Sequence, residues 1–167
     1  DQATSLREMA RRTLPRAQTI AITSGKGGVG KTNLSVNLSA VLAAMKRRVV
    51  LIDADLGLAN ADILCNVQPR FNLAHVVAGQ RRLAEVLTPV PAGFSLIPGA
   101  SGLAKMADLA EADRKRIVTD LDAVAENADV LIIDTGAGIG RNVLSFTSSA
   151  DHVVIVTTPE PTAITDA

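Results

Sequence analysis

Residues 25–32 contain a phosphate-loop motif, the feature that most constrains how this chain folds. They read Gly-Lys-Gly-Gly-Val-Gly-Lys-Thr and fit the pattern G-x-x-x-x-G-K-[ST]. The apolar, strand-like run Thr19–Thr23 precedes them, and the helix-like run Asn33–Met45 follows. A loop that binds phosphate requires this strand–loop–helix context, so the sequence predicts nucleotide binding rather than an ordinary glycine-rich turn.

Each residue type in the loop suits an anionic ligand. Glycines let successive backbone N–H groups turn toward phosphate oxygens, and the helix that follows adds the partial positive charge of its N-terminus. Lys31 is placed to reach β- and γ-phosphates, and the Thr32 hydroxyl to bind Mg²⁺. The predicted nucleotide-binding residues are Gly25, Lys26, Gly27, Gly28, Val29, Gly30, Lys31, Thr32 and Asn33.

Strand-like and helix-like runs alternate along the chain, which predicts an α/β fold with a doubly wound, mostly parallel sheet. The runs Val130–Ile133 and Val153–Val156 are apolar at every position, as expected of strands buried on both faces. The predicted strands are Thr19–Thr23, Arg48–Asp53, Phe94–Pro98, Val130–Asp134 and His152–Thr157. The predicted helices are Asn33–Met45, Leu73–Ala78, Leu109–Asn127 and Gly140–Ser149.

Aspartates end two of the other predicted strands. Asp134 can accept hydrogen bonds from water on Mg²⁺, and Asp53 and Asp55 are both candidates to position an attacking water. Because the carboxyl ends of parallel strands meet at one edge, we expect these carboxylates beside the phosphate loop. The simple motif does not require Lys26, which either contacts its own nucleotide or neutralises charge across a dimer interface.

Composition narrows the classes of protein and partner. The 167 residues are 47% hydrophobic and 20% charged with zero formal net charge, which fits one globular domain and gives no electrostatic case for nucleic-acid binding. Cys65 is the sole cysteine and excludes an internal disulfide or a metal site built from several thiolates. A single thiol fits a reducing compartment such as the cytoplasm.

Three stretches resemble the deviant Walker A ATPases of the MinD/ParA (SIMIBI) class. The first is the phosphate loop with both Lys26 and Lys31; the others are residues 53–60, Asp-Ala-Asp-Leu-Gly-Leu-Ala-Asn, and residues 134–139, Asp-Thr-Gly-Ala-Gly-Ile. The resemblance implies an ATPase that uses ATP and Mg²⁺, hydrolyses slowly and forms a homodimer when ATP is bound.

The resemblance also implies roles for individual residues. Lys26 matches the signature lysine that reaches the partner's nucleotide, Lys31 matches the phosphate-loop lysine, and Asp55 matches the residue that polarises attacking water. The implied catalytic residues are Lys26 and Asp55, and the implied metal-site residues are Thr32, Asp55 and Asp134.

Within this class, both ends of the chain look like the flagellar-number regulators FlhG and FleN. Residues 1–7 read Asp-Gln-Ala-Thr-Ser-Leu-Arg and residues 160–167 read Glu-Pro-Thr-Ala-Ile-Thr-Asp-Ala. The resemblance implies that a segment 1–16 stimulates the GTPase FlhF and that residues 17–167 form the ATPase domain. The implied partner-activating residues are Asp1, Gln2, Ala3, Leu6 and Arg7, with Gln2 the active one.

Family members of this kind are longer than the present chain, so we expect the C-terminal part of the fold to be missing. Full-length relatives are expected in the cytoplasm and peripherally at the inner face of the membrane. Further implied partners are flagellar basal-body proteins or a flagellar transcription regulator. Two alternatives stay open: a division-site or chromosome-partitioning ATPase, and a module that binds ATP and recruits a partner without hydrolysis.

Overall fold

The computed structural model of the chain describes residues 17–55, 57–100, 119–121, 123–160 and 165. Six strands are present in this part: β1 Gln18–Ser24, β2 Val49–Ala54, β3 Thr88–Pro89, β4 Ser95–Ile97, β5 Val130–Ala137 and β6 His152–Ile155. They form one sheet in the order β3-β4-β2-β5-β1-β6, in which only the β3–β4 pair is antiparallel. The predicted doubly wound, mostly parallel sheet is therefore confirmed.

The helices that connect these strands are α1 Lys31–Ala44, α2 Ala61–Leu64, α3 Leu73–Val77 and α4 Arg141–Ser149, with a 3₁₀ helix at Leu83–Val86. Residues 119–121 and 123–125 are also helical, within the predicted helix at 109–127; residues 109–118 and 122 lie outside the described residues. So does the segment 1–16. None of the helices described is long and apolar enough to cross a membrane.

The central strands place a hydrophobic layer on each face of the sheet. Successive residues of a strand point to opposite faces, so Leu131 and Ile133 of β5 pack in one cluster and Ile132 in the other. Ile52 and Leu51 of the neighbouring β2 divide in the same way. Because both faces are covered, the middle of the sheet is rigid, and its carboxyl ends are fixed points from which functional loops leave.

The prediction that residues 153–156 are buried on both faces is wrong. Among the described residues, strand β6 is at the edge of the sheet and pairs with β1 alone. Val153, Val154 and Ile155 remain 46%, 36% and 54% exposed. A continuous apolar run does not distinguish an edge strand from a central one, because the difference depends on neighbours that are remote in sequence.

A charged pair joins the starts of β2 and β5. Arg48 Nη2 lies 2.7 Å from Asp129 Oδ1, and the Arg48 backbone N–H donates to Asp129 Oδ2 at 2.8 Å. The hydrogen bonds from Arg48 lower the pKa of Asp129 from 3.8 to about 2. A carboxyl with a lower pKa in the folded state stabilises the fold above its unfolded pKa, and that contribution is lost as pH falls through the folded pKa.

We predict that the Asp129→Asn variant loses the part of the pH dependence of folding stability that comes from the Asp129 carboxyl. The slope of the unfolding free energy against pH between about 4 and 2 should be shallower in the variant than in the parent protein, because one carboxyl that binds a proton on unfolding is gone. Urea unfolding at a series of pH values measures the slope. Arg48→Met should flatten the profile less than Asp129→Asn does, because the backbone N–H of residue 48 still donates to Asp129. Parallel profiles in parent and both variants would contradict the assignment.

Candidate nucleotide-binding site

The phosphate loop connects the end of β1 to the start of α1. Gly28 and Gly30 have positive φ angles, 78° and 96°, which side-chain-bearing residues rarely adopt. A Cβ atom built on Gly27, Gly28 or Gly30 would meet no atom within 4 Å. The glycines therefore border open space, and the loop has room for a phosphate group.

Lys31, the first residue of α1, is 7% exposed. Its Nζ donates to Ser24 Oγ at 2.9 Å, and Ser24 Oγ in turn donates to the backbone carbonyl of Lys26 at 2.6 Å. A buried lysine normally needs an anionic partner, and a hydroxyl is a weak substitute. The ammonium group is therefore held inside the loop, ready for an anion.

Asp134 has a buried polar atom that a bound ligand would explain. Its side chain is fully buried, and Oδ1 accepts a hydrogen bond from Ser35 Oγ at 3.0 Å, whereas the buried Oδ2 has no hydrogen-bond partner. Burial raises the pKa of Asp134, against the opposing effects of the Thr32 and Ser35 hydroxyls and the Lys31 charge. An unsatisfied carboxylate oxygen beside Thr32 fits water bound to Mg²⁺.

The residues present fit a magnesium ion held mainly by a nucleotide. In the described ranges, no group of three or more His, Cys, Asp or Glu side chains is placed to hold a metal ion. Mg²⁺ retains several waters and commonly takes phosphate oxygens, so one hydroxyl ligand from Thr32 is sufficient. Asp134 would then act through water. Asp55 lies near enough for its charge to raise the pKa of Asp134.

The two aspartates at the carboxyl end of β2 have different environments. Asp55 is partly exposed and its Oδ1 accepts from the N–H groups of Gly57 and Leu58, both at 3.1 Å. A Cβ on Gly136 would lie 3.6 Å from that oxygen, so Asp55 lies beside the carboxyl end of β5. Asp53 is 1% exposed and faces backbone N–H groups instead. Of the two candidates, only Asp55 has a carboxylate that is accessible from solvent.

The pKa of Asp53 reflects this burial. Removal from water, together with the Asp134 charge, raises the pKa of its carboxyl to about 7, and hydrogen bonds from the backbone N–H groups of Ala61, Asp55 and Asn60 oppose the rise. Cys65, at the end of α2, is also buried, and burial raises the pKa of its thiol to about 11. A buried thiol with a raised pKa is a packing residue rather than a reactive one.

Lys26 contacts an acidic residue of its own chain. Its Nζ lies 2.8 Å from Glu160 Oε2, and the two side chains are 46% and 60% exposed. The hydrogen bond from Lys26 lowers the pKa of Glu160. An exposed ion pair of this kind is weak and exchanges readily, so it does not prevent Lys26 from reaching another anion.

Other predicted residues lie around the same loop. Gly25 and Val29 are half-buried, and Asn33 is exposed on the first turn of α1. Sequence reasoning assigned no role to Ser24, Ser35 or Glu160. Ser35 was detectable in principle, because it is four residues after Lys31 and therefore on the same face of the helix. Nothing local indicates Glu160, which is 134 residues from Lys26.

A family model described as an AAA domain matches residues 17–166. The chain belongs to this family. It is 48% identical over 150 residues to the antiactivator FleN of Pseudomonas aeruginosa, and 44% identical over 148 residues to the flagellum site-determining protein YlxH of Helicobacter pylori. The expected resemblance to flagellar-number regulators is confirmed.

These matches cover 90% and 89% of the chain but 54% and 50% of the relatives. The chain thus spans about half the length of the curated relatives it matches. Among solved structures, the septum site-determining protein MinD of Pyrococcus horikoshii, complexed with Mg-ADP, superposes with a TM-score of 0.79 at 29% identity. That superposition covers 90% of this chain and 62% of the MinD chain, so the MinD fold is shared over the compared part.

We predict that Ser35→Ala lowers the free energy of unfolding by about 1–3 kcal/mol, because it removes a hydrogen bond from the buried Asp134 carboxylate. Chemical denaturation measures the change. Asn37→Ala is the matched control on the same helix, since it removes an exposed hydrogen bond to the Asn33 carbonyl. Equal effects of the two substitutions would show that Ser35 does not support Asp134.

Proposed function

We propose that this chain is part of a MinD-like ATPase that regulates flagellar number and works as an ATP-dependent dimerisation switch. The observation that carries the proposal is the unpartnered Oδ2 of Asp134, buried beside Thr32 and close to a buried Lys31. The names of the FleN and YlxH relatives support the flagellar role. Identity to the MinD protein of Thermotoga maritima is lower, at 40%, so the division-site alternative is less favoured.

In this proposal each residue of the site has one task. Lys31, Thr32 and the backbone N–H groups of the loop hold the phosphates of ATP, and Asp134 accepts hydrogen bonds from water on Mg²⁺. Asp55 accepts a hydrogen bond from the water that attacks the γ-phosphate. Bound Mg²⁺ neutralises charge on the phosphates. The Mg-ADP complex of the MinD neighbour supports this choice of nucleotide and ion.

Exposed apolar residues beside the site support dimerisation. Leu58, on the loop after β2, is 77% exposed, and Ile139, on the loop after β5, is 82% exposed. Large apolar side chains so exposed near a polar site are commonly covered by a partner. A second copy placed over this face would cover them and bring its own Lys26 toward the nucleotide. Hydrolysis would then require the dimer.

The remaining parts of the proposal rest on the relatives. Residues 1–16, with Asp1, Gln2, Ala3, Leu6 and Arg7, are proposed to stimulate an FlhF-type GTPase. The name antiactivator, printed for the FleN relative, supports a transcription regulator as a further partner. We propose a cytoplasmic protein that associates peripherally with the membrane in its full-length form.

ATP turnover per molecule, measured with Mg²⁺ over a range of protein concentrations, tests the switch. The specific rate should rise with concentration and reach a plateau, since only the dimer hydrolyses. Asp55→Asn should abolish turnover and leave nucleotide binding intact. A concentration-independent rate would refute the dimer requirement, and a parent rate equal to that of Asp55→Asn would refute hydrolysis and favour a passive ATP-binding module.

We predict that Glu160→Gln raises turnover at low protein concentration by about two- to fivefold. In the variant, Lys26 no longer has to leave an ion pair within its own chain before it contacts the nucleotide. Turnover assays below the plateau measure the effect. The matched control is Glu85→Gln, which alters another exposed pair, to Arg81 at 3.6 Å, and should leave the rate unchanged. A slower Glu160→Gln enzyme would show that Glu160 assists hydrolysis instead of restraining Lys26.

A further inference from the structure

We propose that Asp53 is a positioning residue: its buried carboxylate holds both ends of the loop 55–61 and so presents Asp55 to the reacting phosphate. The inference rests on the proposed function for the role of Asp55. The strand-end pattern alone makes Asp53 and Asp55 equivalent candidates for contact with water, and the family resemblance assigns that contact to Asp55 without giving Asp53 a task. The hydrogen bonds assign them different tasks.

The carboxylate of Asp53 accepts from three backbone N–H groups. Oδ1 accepts from the N–H of Asp55 at 3.2 Å, and Oδ2 accepts from those of Asn60 at 3.1 Å and Ala61 at 3.0 Å. One side chain therefore fixes the residue that begins the loop and the two residues that end it. Both of its oxygens are used, and the side chain is 1% exposed, so Asp53 has no surface with which to contact substrate.

The same carboxylate stabilises the start of α2. This helix has four residues, too few to be stable alone, and Asn60 at its N-cap position makes no side-chain capping hydrogen bond. An unsatisfied N–H group at a helix start is normally paired with a capping side chain. Here the pairing comes from Asp53, at the end of β2. The loop is thereby attached to the rigid centre of the sheet.

A glycine on the adjacent segment confines the loop from the other side. A Cβ on Gly99 would lie 2.7 Å from Ala59 Cβ, 2.8 Å from the Asp53 carbonyl oxygen and 3.0 Å from Asp53 Cγ. Position 99 requires glycine because any side chain would overlap these atoms of Ala59 and Asp53. The backbone at residue 99 thus packs directly on the loop and on its anchor. The two contacts restrict the path of the chain that carries Asp55.

An isosteric substitution tests the anchor. In Asp53→Asn one oxygen becomes an NH₂ group, which must face a backbone N–H in either orientation of the amide and cannot accept from it. We expect amide hydrogen exchange at Asn60 and Ala61, or at Asp55, to become about 5- to 100-fold faster in the nucleotide-free chain. Exchange in β5 should be unchanged, which shows that the variant is folded.

The kinetic expectation separates positioning from binding. The kcat for ATP should fall about tenfold or more, because a displaced carboxylate orients the attacking water poorly. Affinity for Mg-ADP should change less than about threefold, since the phosphate loop is not altered. Loss of Mg-ADP affinity equal to the loss of kcat would overturn the proposal, as would an unchanged kcat in a chain with a loosened loop.

Gly99→Ala gives a second route to the same result should Asp53→Asn fail to fold. It leaves the Asp53 carboxylate chemically unaltered but places a methyl group where the loop lies, so exchange at residues 59–61 should again accelerate. Gly140→Ala is the matched control, because a Cβ there meets no atom within 4 Å. Unchanged exchange in Gly99→Ala and Asp53→Asn would refute the anchor. Absence of turnover in the parent chain would count against the proposed function alone, because exchange is read without nucleotide.

Discussion

Lys31, Asp53 and Asp134 are buried together near the carboxyl ends of β1, β2 and β5, where charges without partners are unfavourable. Strand order brings them there: β5 lies between β1 and β2, and Asp134 is in register with Asp53. The surrounding polar groups compensate this burial to different degrees. Those differences divide the site into a part that is complete without ligand and a part that is not.

Asp53 belongs to the completed part, since three backbone N–H groups surround it. Lys31 and Asp134 belong to the incomplete part. Each makes a hydrogen bond to a serine hydroxyl, and neither has an opposite charge within hydrogen-bonding distance. Buried polar groups left partly satisfied reduce stability, and proteins retain them mainly at functional sites. Phosphate and hydrated Mg²⁺ would supply the two charges that the site lacks, and their binding would then stabilise the fold.

The sequence predicted the parts of this arrangement that depend on local pattern. The spacing of residues 25–32 predicted the phosphate loop, and the apolar runs predicted the central strands. Strand β3 escaped prediction because it has two residues, one of them a proline. The roles of Asp53 and Glu160 could not be read from sequence, because they depend on which backbone and side-chain groups the fold brings beside them. The exposure of β6 likewise depends on its place at the sheet edge.

A structure of this chain bound to Mg-ADP tests the central claim most directly. We predict that the β-phosphate lies in the loop within about 3 Å of Lys31 Nζ, which has left Ser24 Oγ. We also predict a water on the metal within hydrogen-bonding distance of Asp134 Oδ2. Nucleotide bound elsewhere, or Asp134 Oδ2 still without a partner while Lys31 remains on Ser24, would contradict the account.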